Sequence, residues 1–431
     1  MYAATTSPTP VRSTCSSPWR SPMHEPRIPT EPIIIIGAGH AGVSVAAGLR
    51  SQGWDGGVLL VDADGRLPYE RPPLSKDLLK PGSAEQVTPL RRAGYYQERC
   101  IETVLGLDIR QIDVENRSVT LSDGSVRAYH RLVIATGSTA RALRIPGGDL
   151  PGVQTLKTFD DAARLRTQLT PGARVVIVGA GYIGLEVAAA AAALDCDVTV
   201  LEFQDRVMSR VTSEPVSRFF EQHHENHGVR FVFGAAVTAV EGDERAERVL
   251  TADGGSYPAD VVIAGIGVVP NQQLAEAAGL ECNDGILVDQ HGRTSHPEVY
   301  AAGDVTRFTS PFDGSSLRLE CIQNAQAQAD SIVHHIVEKP RKDPDIPWFW
   351  TVQHGVRLQT AGVRHPDDDA IVRGNVEDKK FSVVYLRNGK LSAVDTIDSL
   401  KDFMAAKRLI GAALDPVLVS APGTSLAEAA I

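Results

Sequence analysis

The chain has 431 residues, of which 43% are hydrophobic and 22% charged, a make-up that excludes wholesale disorder and predicts a sizeable core. At roughly 150 residues per domain, the length corresponds to about three domains. A formal net charge of −10 excludes the broad basic footprint of a general nucleic-acid binder, but leaves room for a local basic patch.

Residues 1–31 hold six prolines and five serines without apolar periodicity, so they read as a disordered tail. They contain no apolar h-region. Arg12, Arg20 and Arg27 give a faint likeness to a transit peptide, and Met23 is a second candidate start. The five cysteines, at positions 15, 100, 196, 282 and 321, form no CxxC or zinc-type spacing. No metal site is expected, and a reducing cytoplasm is the expected setting. The most apolar stretch, Ile33 to Leu49, is interrupted by Gly37, Gly39, His40 and Gly42, so it reads as strand, turn and helix rather than a membrane span.

From Pro32 onward the chain repeats itself. The β-branched run Ile33–Ile36 leads into Gly37-Ala38-Gly39-His40-Ala41-Gly42, and Arg174–Val178 leads into Gly179-Ala180-Gly181-Tyr182-Ile183-Gly184. Each loop is followed by a helical stretch and a second apolar strand ending in an acid: Val58–Val61 before Asp62, and Val198–Leu201 before Glu202. Each unit then has an Asp-Gly hairpin signal, at Asp123-Gly124 and Asp253-Gly254. Apolar runs close them, Leu132 to Gly137 through Thr136, and Val261 to Gly265. A lone GxGxxG is a weak signal, but two copies in strand–loop–helix context indicate two dinucleotide sites. The first glycine permits the turn, the second lets backbone N–H groups approach a pyrophosphate, and the third lets the helix pack on the strand. Two dinucleotides in one chain imply that one hands electrons to the other. Glu202 would accept hydrogen bonds from a ribose 2′-OH and repel a 2′-phosphate, which favours NADH over NADPH, whereas Arg206 nearby pulls the other way.

The last ninety or so residues carry no nucleotide motif and read as a small α+β domain. Phe381–Leu386, the turn Asn388-Gly389 and Leu391–Val394 make a hairpin. Ser399 is the expected cap of a helix with Leu400, Phe403, Met404 and Ile410 on one face.

The segment Tyr69-Glu70-Arg71-Pro72-Pro73-Leu74-Ser75-Lys76 has no generic physical explanation, and it resembles a signature of the NADH-dependent ferredoxin reductases. Gly181 to Glu186, Gly265 to Asn271 through Gly267, Val299 to Asp304, Pro347 to Trp350 and Phe381–Leu386 resemble the same family, which the chain matches from about residue 32 to residue 431. The resemblance implies an α/β, glutathione-reductase-like architecture. An FAD domain (32–145 and 263–340) is split by an NAD domain (146–262) and followed by a C-terminal α+β domain (341–431). It implies that Gly37, Gly39, Ala41 and Gly42 cradle the FAD pyrophosphate. Relatives place an acid at the position of Ala63 for the ribose; here Asp62 and Asp64 flank that alanine, and Asp62, directly after the strand, is the expected one of the two. Ile109 would line the adenine through its backbone. Arg71, Thr136, Gly137, Lys157, Asp304, Ile322 and Trp350 would bind the flavin cofactor; the plainer alternative for Asp304, a helix N-cap, is compatible with that role because a helix N-terminus there would also face the cofactor. Gly179, Gly181, Tyr182, Ile183, Gly184, Glu186, Glu202 and Gly267 would hold NADH. Lys76 and Glu186 are the expected catalytic pair, the ammonium stabilising negative charge on the reduced flavin. The implied activity is hydride transfer from NADH to FAD and single-electron delivery to a [2Fe–2S] ferredoxin. That ferredoxin would serve a cytochrome P-450 monooxygenase or a ring-hydroxylating dioxygenase, with no nucleic acid or membrane involved.

Ferredoxins are usually acidic, so docking calls for a positive patch, with Arg307, Arg318, Arg357, Lys379 and Lys380 as candidates. A disulfide reductase would need a redox cysteine between Gly37 and Leu90, and there is none. A monodehydroascorbate-type reductase shares the motifs, and a flavoprotein like apoptosis-inducing factor is a more remote alternative.

Overall fold

The computed structural model describes residues 29–80, 87–341 and 345–431. Most of the expected tail, with Cys15, lies outside the described residues.

Two five-stranded parallel sheets dominate the chain. In the first, the order is Val299–Ala301, Arg131–Ile134, Ile33–Ile36, Val58–Asp62, Glu102–Leu105. In the second it is Val153–Gln154, Val261–Ala264, Arg174–Val178, Asp197–Glu202, Arg230–Phe233. Ile33, Ile34 and Ile35 are fully buried, as are Val175 and Ile177. Sheets covered on both faces need such unbroken β-branched runs rather than alternating ones. Each sheet carries a three-stranded antiparallel excursion, Ile109–Asp113 with Ser118–Leu121 and Val126–Ala128, and Val237–Glu241 with Arg248–Thr251 and Ser256–Pro258. Both Asp-Gly turns fall inside these excursions, as expected.

The fifth strand separates the two units. Val299–Ala301 reaches the first sheet only after the chain has built the second, whereas Val153–Gln154 precedes its sheet's core strands. The crossovers between the units are laced together where Ser138–Ala140 pairs antiparallel with Val268–Pro270. Strand Val261–Ala264 pairs with Arg174–Val178 on one side and Val153–Gln154 on the other, so a division at residue 263 cuts through a strand of the second sheet.

A third, antiparallel sheet follows, in the order Trp348–Gln353, Val356–Gly362, Lys390–Ile397, Lys380–Arg387, Asp369–Asn375. The expected hairpin is its centre, with Asn388 and Gly389 both at positive φ. The expected face of helix Leu400–Leu409 needs correction. Phe403 and Ala406 are buried, but Leu400 and Met404 are exposed, because Met404 sits about 100° around the helix from Phe403. Ser399 holds the N-cap position, but its hydroxyl donates to Asp402 Oδ2 instead of accepting a backbone N–H. Among the described residues, no helix is long and apolar enough to cross a membrane.

Candidate functional site

The two glycine loops are nearly superimposable in their chemistry. Gly37 and Gly179 open them at φ +100° and +101°, a backbone region that L side chains rarely adopt. A Cβ on Gly42 would lie 1.9 Å from the Gly37 carbonyl oxygen, and one on Gly184 would lie 2.3 Å from that of Gly179. The third glycine of each motif is therefore what lets the helix seat against the loop. Gly39 and Gly181 are different: no protein atom comes within 4 Å of a Cβ on Gly39, and on Gly181 the nearest is at 4.0 Å. These openings face the first turns of helices His40–Ser51 and Tyr182–Ala192, where unpartnered N–H groups and the helix dipole favour an anion. Both cradles fit a dinucleotide pyrophosphate.

Each strand-terminal acid turns back to its loop. The Ala38 N–H donates to Asp62 Oδ2, and the Ala180 N–H donates to Glu202 Oε2 at 2.6 Å. Ala63 lies in the turn beyond, and Asp64 is engaged by Arg66 and Tyr69, so Asp62 is the acid that faces the first loop. Arg206 points away from Glu202's role, its guanidinium donating to the Thr212 and Ser209 carbonyls and to Ser217 Oγ. The cation that could have accommodated a 2′-phosphate is thus spent inside the protein.

The segment 69–76 ties the two units together. At one end Glu70 lies 3.0 Å from His40 Nε2, on the helix behind the first loop. At the other, Lys76 Nζ lies 2.6 Å from Glu186 Oε2, on the helix behind the second. Pro72–Ser75 forms a short 3₁₀ turn between them, as its prolines dictate. Glu186 is buried, with 3% of its side chain exposed, and is fully partnered: Ser75 Oγ donates to Oε2 and Thr351 Oγ1 to Oε1, both at 2.5 Å. Trp350, from the third sheet, sits with its ring centroid 5.5 Å from Lys76 Nζ. Tyr182 packs on Phe349 of the same strand at 4.6 Å, and burial holds its phenol well above the ordinary range.

A second cluster lies beside the first loop. Lys157 Nζ is 3.3 Å from Asp304 Oδ2 and donates to Ser138 Oγ, which itself donates to Asp304 Oδ2. Arg71 stacks on the Tyr69 ring and reaches the Lys157 carbonyl at 3.5 Å. A Cβ on Gly303 would lie 3.1 Å from that of Ala41, which puts Gly303-Asp304 against the first helix's N-terminus. The helix N-cap alternative for Asp304 is not found: the next element is strand Thr306–Thr309, and the helix Ile322–Ile336 opens later, after Cys321. Ile322 is half-buried at that helix's start. Burial raises the Cys321 thiol to about 11, which disfavours a redox thiolate there. Thr136 and Gly137 are held by Asn271, which donates from Nδ2 to the Thr136 carbonyl and from its backbone to that of Gly137. Ile109 begins the first excursion, and Ile183 and Gly267 remain open at the second loop.

Comparison with known proteins agrees with this layout. A family model described as pyridine nucleotide-disulphide oxidoreductase matches residues 31–329, and a reductase C-terminal model matches residues 348–430. The chain belongs to the pyridine nucleotide-disulphide oxidoreductase family. Within that family it is 39% identical to putidaredoxin reductase CamA of Pseudomonas putida, over 88% of this chain and 91% of that protein. It is also 39% identical to the ferredoxin reductase component of a chlorobenzene dioxygenase from a Cupriavidus species, over 89% and 94%. The reductase in the crystal structure of the covalent putidaredoxin reductase–putidaredoxin complex matches with a TM-score of 0.89 at 38% identity, covering 92% of this chain and 97% of that one.

Sequence reasoning missed several members of these clusters. Ser75 was in view beside Lys76 without a role, while Ser138, Asn271 and Thr351 carry no local signal that marks them. The expected positive patch is also thinner than proposed. Arg307 pairs with Asp284 at 2.7 Å and Arg318 with Glu320 at 2.6 Å, which leaves the exposed Arg357, Lys379 and Lys380.

Proposed function

We propose that this protein is an FAD-dependent NADH:ferredoxin oxidoreductase whose partner is a [2Fe–2S] ferredoxin serving a cytochrome P-450 monooxygenase or a ring-hydroxylating dioxygenase. The observation that carries the proposal is the Lys76–Glu186 pair, which joins the two nucleotide-binding units at the face covered by Trp350. When bound, FAD accepts a hydride from NADH and releases electrons singly to an iron–sulfur acceptor.

The chain's own residues bind, orient and exclude water. Gly37, Gly39, Ala41 and Gly42 present loop and helix N–H groups to the FAD pyrophosphate, and Asp62 takes the ribose. Lys157 and Asp304, with Arg71, Thr136 and Gly137, frame the ribityl side, and Ile109 lines the adenine. Ile322 and Trp350 flank the ring system. Gly179, Gly181, Tyr182, Ile183, Gly184 and Gly267 seat NADH, and Glu202 selects it over NADPH. Lys76 places a positive charge where electron density arrives, in a site dry enough for that charge to count, and Glu186 fixes its position.

The division into an FAD unit (32–145 and 263–340), an inserted NAD unit (146–262) and a C-terminal domain (341–431) is part of this proposal, with the second boundary moved past Ala264. So is a cytoplasmic setting, consistent with the free thiols at Cys100, Cys196, Cys282 and Cys321. The test is direct: the purified protein is yellow, and anaerobic NADH bleaches it. A colourless preparation that takes up no FAD overturns the proposal.

A further inference from the structure

Glu186 lies at the end of a line of hydrogen bonds that starts at the half-buried His354, in the turn after strand Trp348–Gln353. His354 Nε2 lies 3.2 Å from His224 Nδ1, and His224 Nε2 lies 2.8 Å from Gln353 Oε1. Gln353 Nε2 donates to Thr351 Oγ1 at 3.4 Å, and Thr351 Oγ1 donates to Glu186 Oε1 at 2.5 Å. His224, Gln353 and Thr351 are fully buried, so no water competes for these groups.

The donors all point one way. Gln353 presents its carbonyl oxygen to His224, so the His224 proton sits on Nε2 and its Nδ1 accepts from His354. Gln353 then has only its amide N–H to offer Thr351. With one lone pair of the Thr351 oxygen occupied, its hydroxyl hydrogen is left for the carboxylate. Burial lowers His224 to about 4, which keeps its ring neutral, as this order requires. A line of donors ending on an anion is mutually polarising, and each bond fixes the rotor of the next.

We propose that Thr351, oriented by Gln353 and His224, is the positioning residue that holds Glu186 in place for its work with Lys76. This rests on the reading of Lys76 and Glu186 given above. It assigns the C-terminal sheet a part in the NADH half-reaction, in addition to covering the flavin.

The test compares Thr351→Val, Thr351→Ser and Glu186→Gln in the FAD-loaded protein, by stopped-flow flavin reduction and by spectroelectrochemical measurement of the flavin midpoint potential. Thr351→Val should slow flavin reduction at saturating NADH about tenfold, the scale of one lost hydrogen bond to a charged group, while the Kd for NAD⁺ changes less than about twofold. A carboxylate with one donor fewer disperses less of its charge, so the midpoint potential should fall. Glu186→Gln removes the charge, so it should raise the potential while still slowing reduction. Thr351→Ser keeps the hydroxyl and should restore both rate and potential.

A Thr351→Val protein with wild-type rate and potential, beside a slow Glu186→Gln protein, overturns the role of Thr351 alone. A Glu186→Gln protein that reduces at the wild-type rate overturns the reading of the pair itself. If Thr351→Val fails to fold, Gln353→Leu replaces it, with the same directions expected at a smaller size and the same null result counting against the proposal.

Discussion

The two nucleotide units follow one plan, and the difference with the most chemistry in it lies at the fifth residue of the helix behind the glycine loop, which is Ser44 in the first and Glu186 in the second. Both helices begin after an open glycine, and both loops are held by a strand-terminal acid. The half-buried Ser44 belongs to a helix packed on Ile322–Ile336, where a Cβ on Gly48 would meet Val333 at 2.9 Å. The second helix packs on segment 69–76 and on the third sheet, and there the same position carries a buried carboxylate with Ser75, Lys76 and Thr351 on it. In the function proposed above, the repeated scaffold serves binding, and the departure from the repeat at Glu186 marks where the chemistry is placed.

Substitutions that treat the two units alike should separate them. Lys76→Ala should have the largest effect, slowing anaerobic flavin reduction on the order of a hundredfold, as removal of a preorganised charge does. Ser44→Ala should stay within about twofold in the same stopped-flow assay. An effect of Ser44→Ala as large as that of Lys76→Ala would erase the distinction between Ser44 and the corresponding Glu186, with which Lys76 pairs.

The mirror pair Gly42→Ala and Gly184→Ala comes next. Each Cβ collides with a backbone carbonyl, so each should weaken its own dinucleotide about a hundredfold. Absorbance and NAD⁺ titration should show the first variant losing its flavin and the second staying yellow but binding NAD⁺ poorly. Loss of flavin in the Gly184→Ala protein would contradict the assignment of the loops.

Glu202→Ala should reduce the NADH-over-NADPH preference by about 1–3 kcal/mol, the size of a lost charge-assisted hydrogen bond, as read from the ratio of kcat/KM values. An unchanged ratio removes Glu202 from that role.

The smallest expected effect is on stability, at the seam between the second unit and the third sheet. Burial holds His224 at about 4 and His354 at about 3, while in the unfolded chain each titrates near 6.5. The unfolded state then binds more protons, so stability should fall as pH drops from about 6.5 toward 4. Asp395, raised by burial to about 6, works in the opposite sense and offsets part of that slope between about 6 and 4. His354→Phe should flatten the dependence of the urea midpoint on pH between 7 and 5. An unaltered slope would mean that the buried histidines do not control it.

The strands were legible because fully buried parallel strands must be unbroken apolar runs, as at Ile33–Ile36 and Val175–Val178. The glycine loops were legible because each glycine answers to a distance or a dihedral. Glu186 stood out only through resemblance, since a lone glutamate in an alanine-rich helix has no pattern of its own. Thr351 and Ser138 were invisible because their partners lie 165 and 166 residues away in the chain. The face of helix Leu400–Leu409 was misjudged because its apolar residues occupy two sides, and only packing on the third sheet chooses between them.

The central claim, that NADH electrons leave this protein singly through a [2Fe–2S] ferredoxin, is tested by NADH-dependent cytochrome c reduction with a panel of such ferredoxins, each added or omitted in turn. Activity should appear only with a cognate ferredoxin and weaken as salt rises, as an encounter between an acidic partner and a local positive patch must. Equal cytochrome c reduction with and without every ferredoxin, together with rapid turnover of the ascorbate radical, would contradict it.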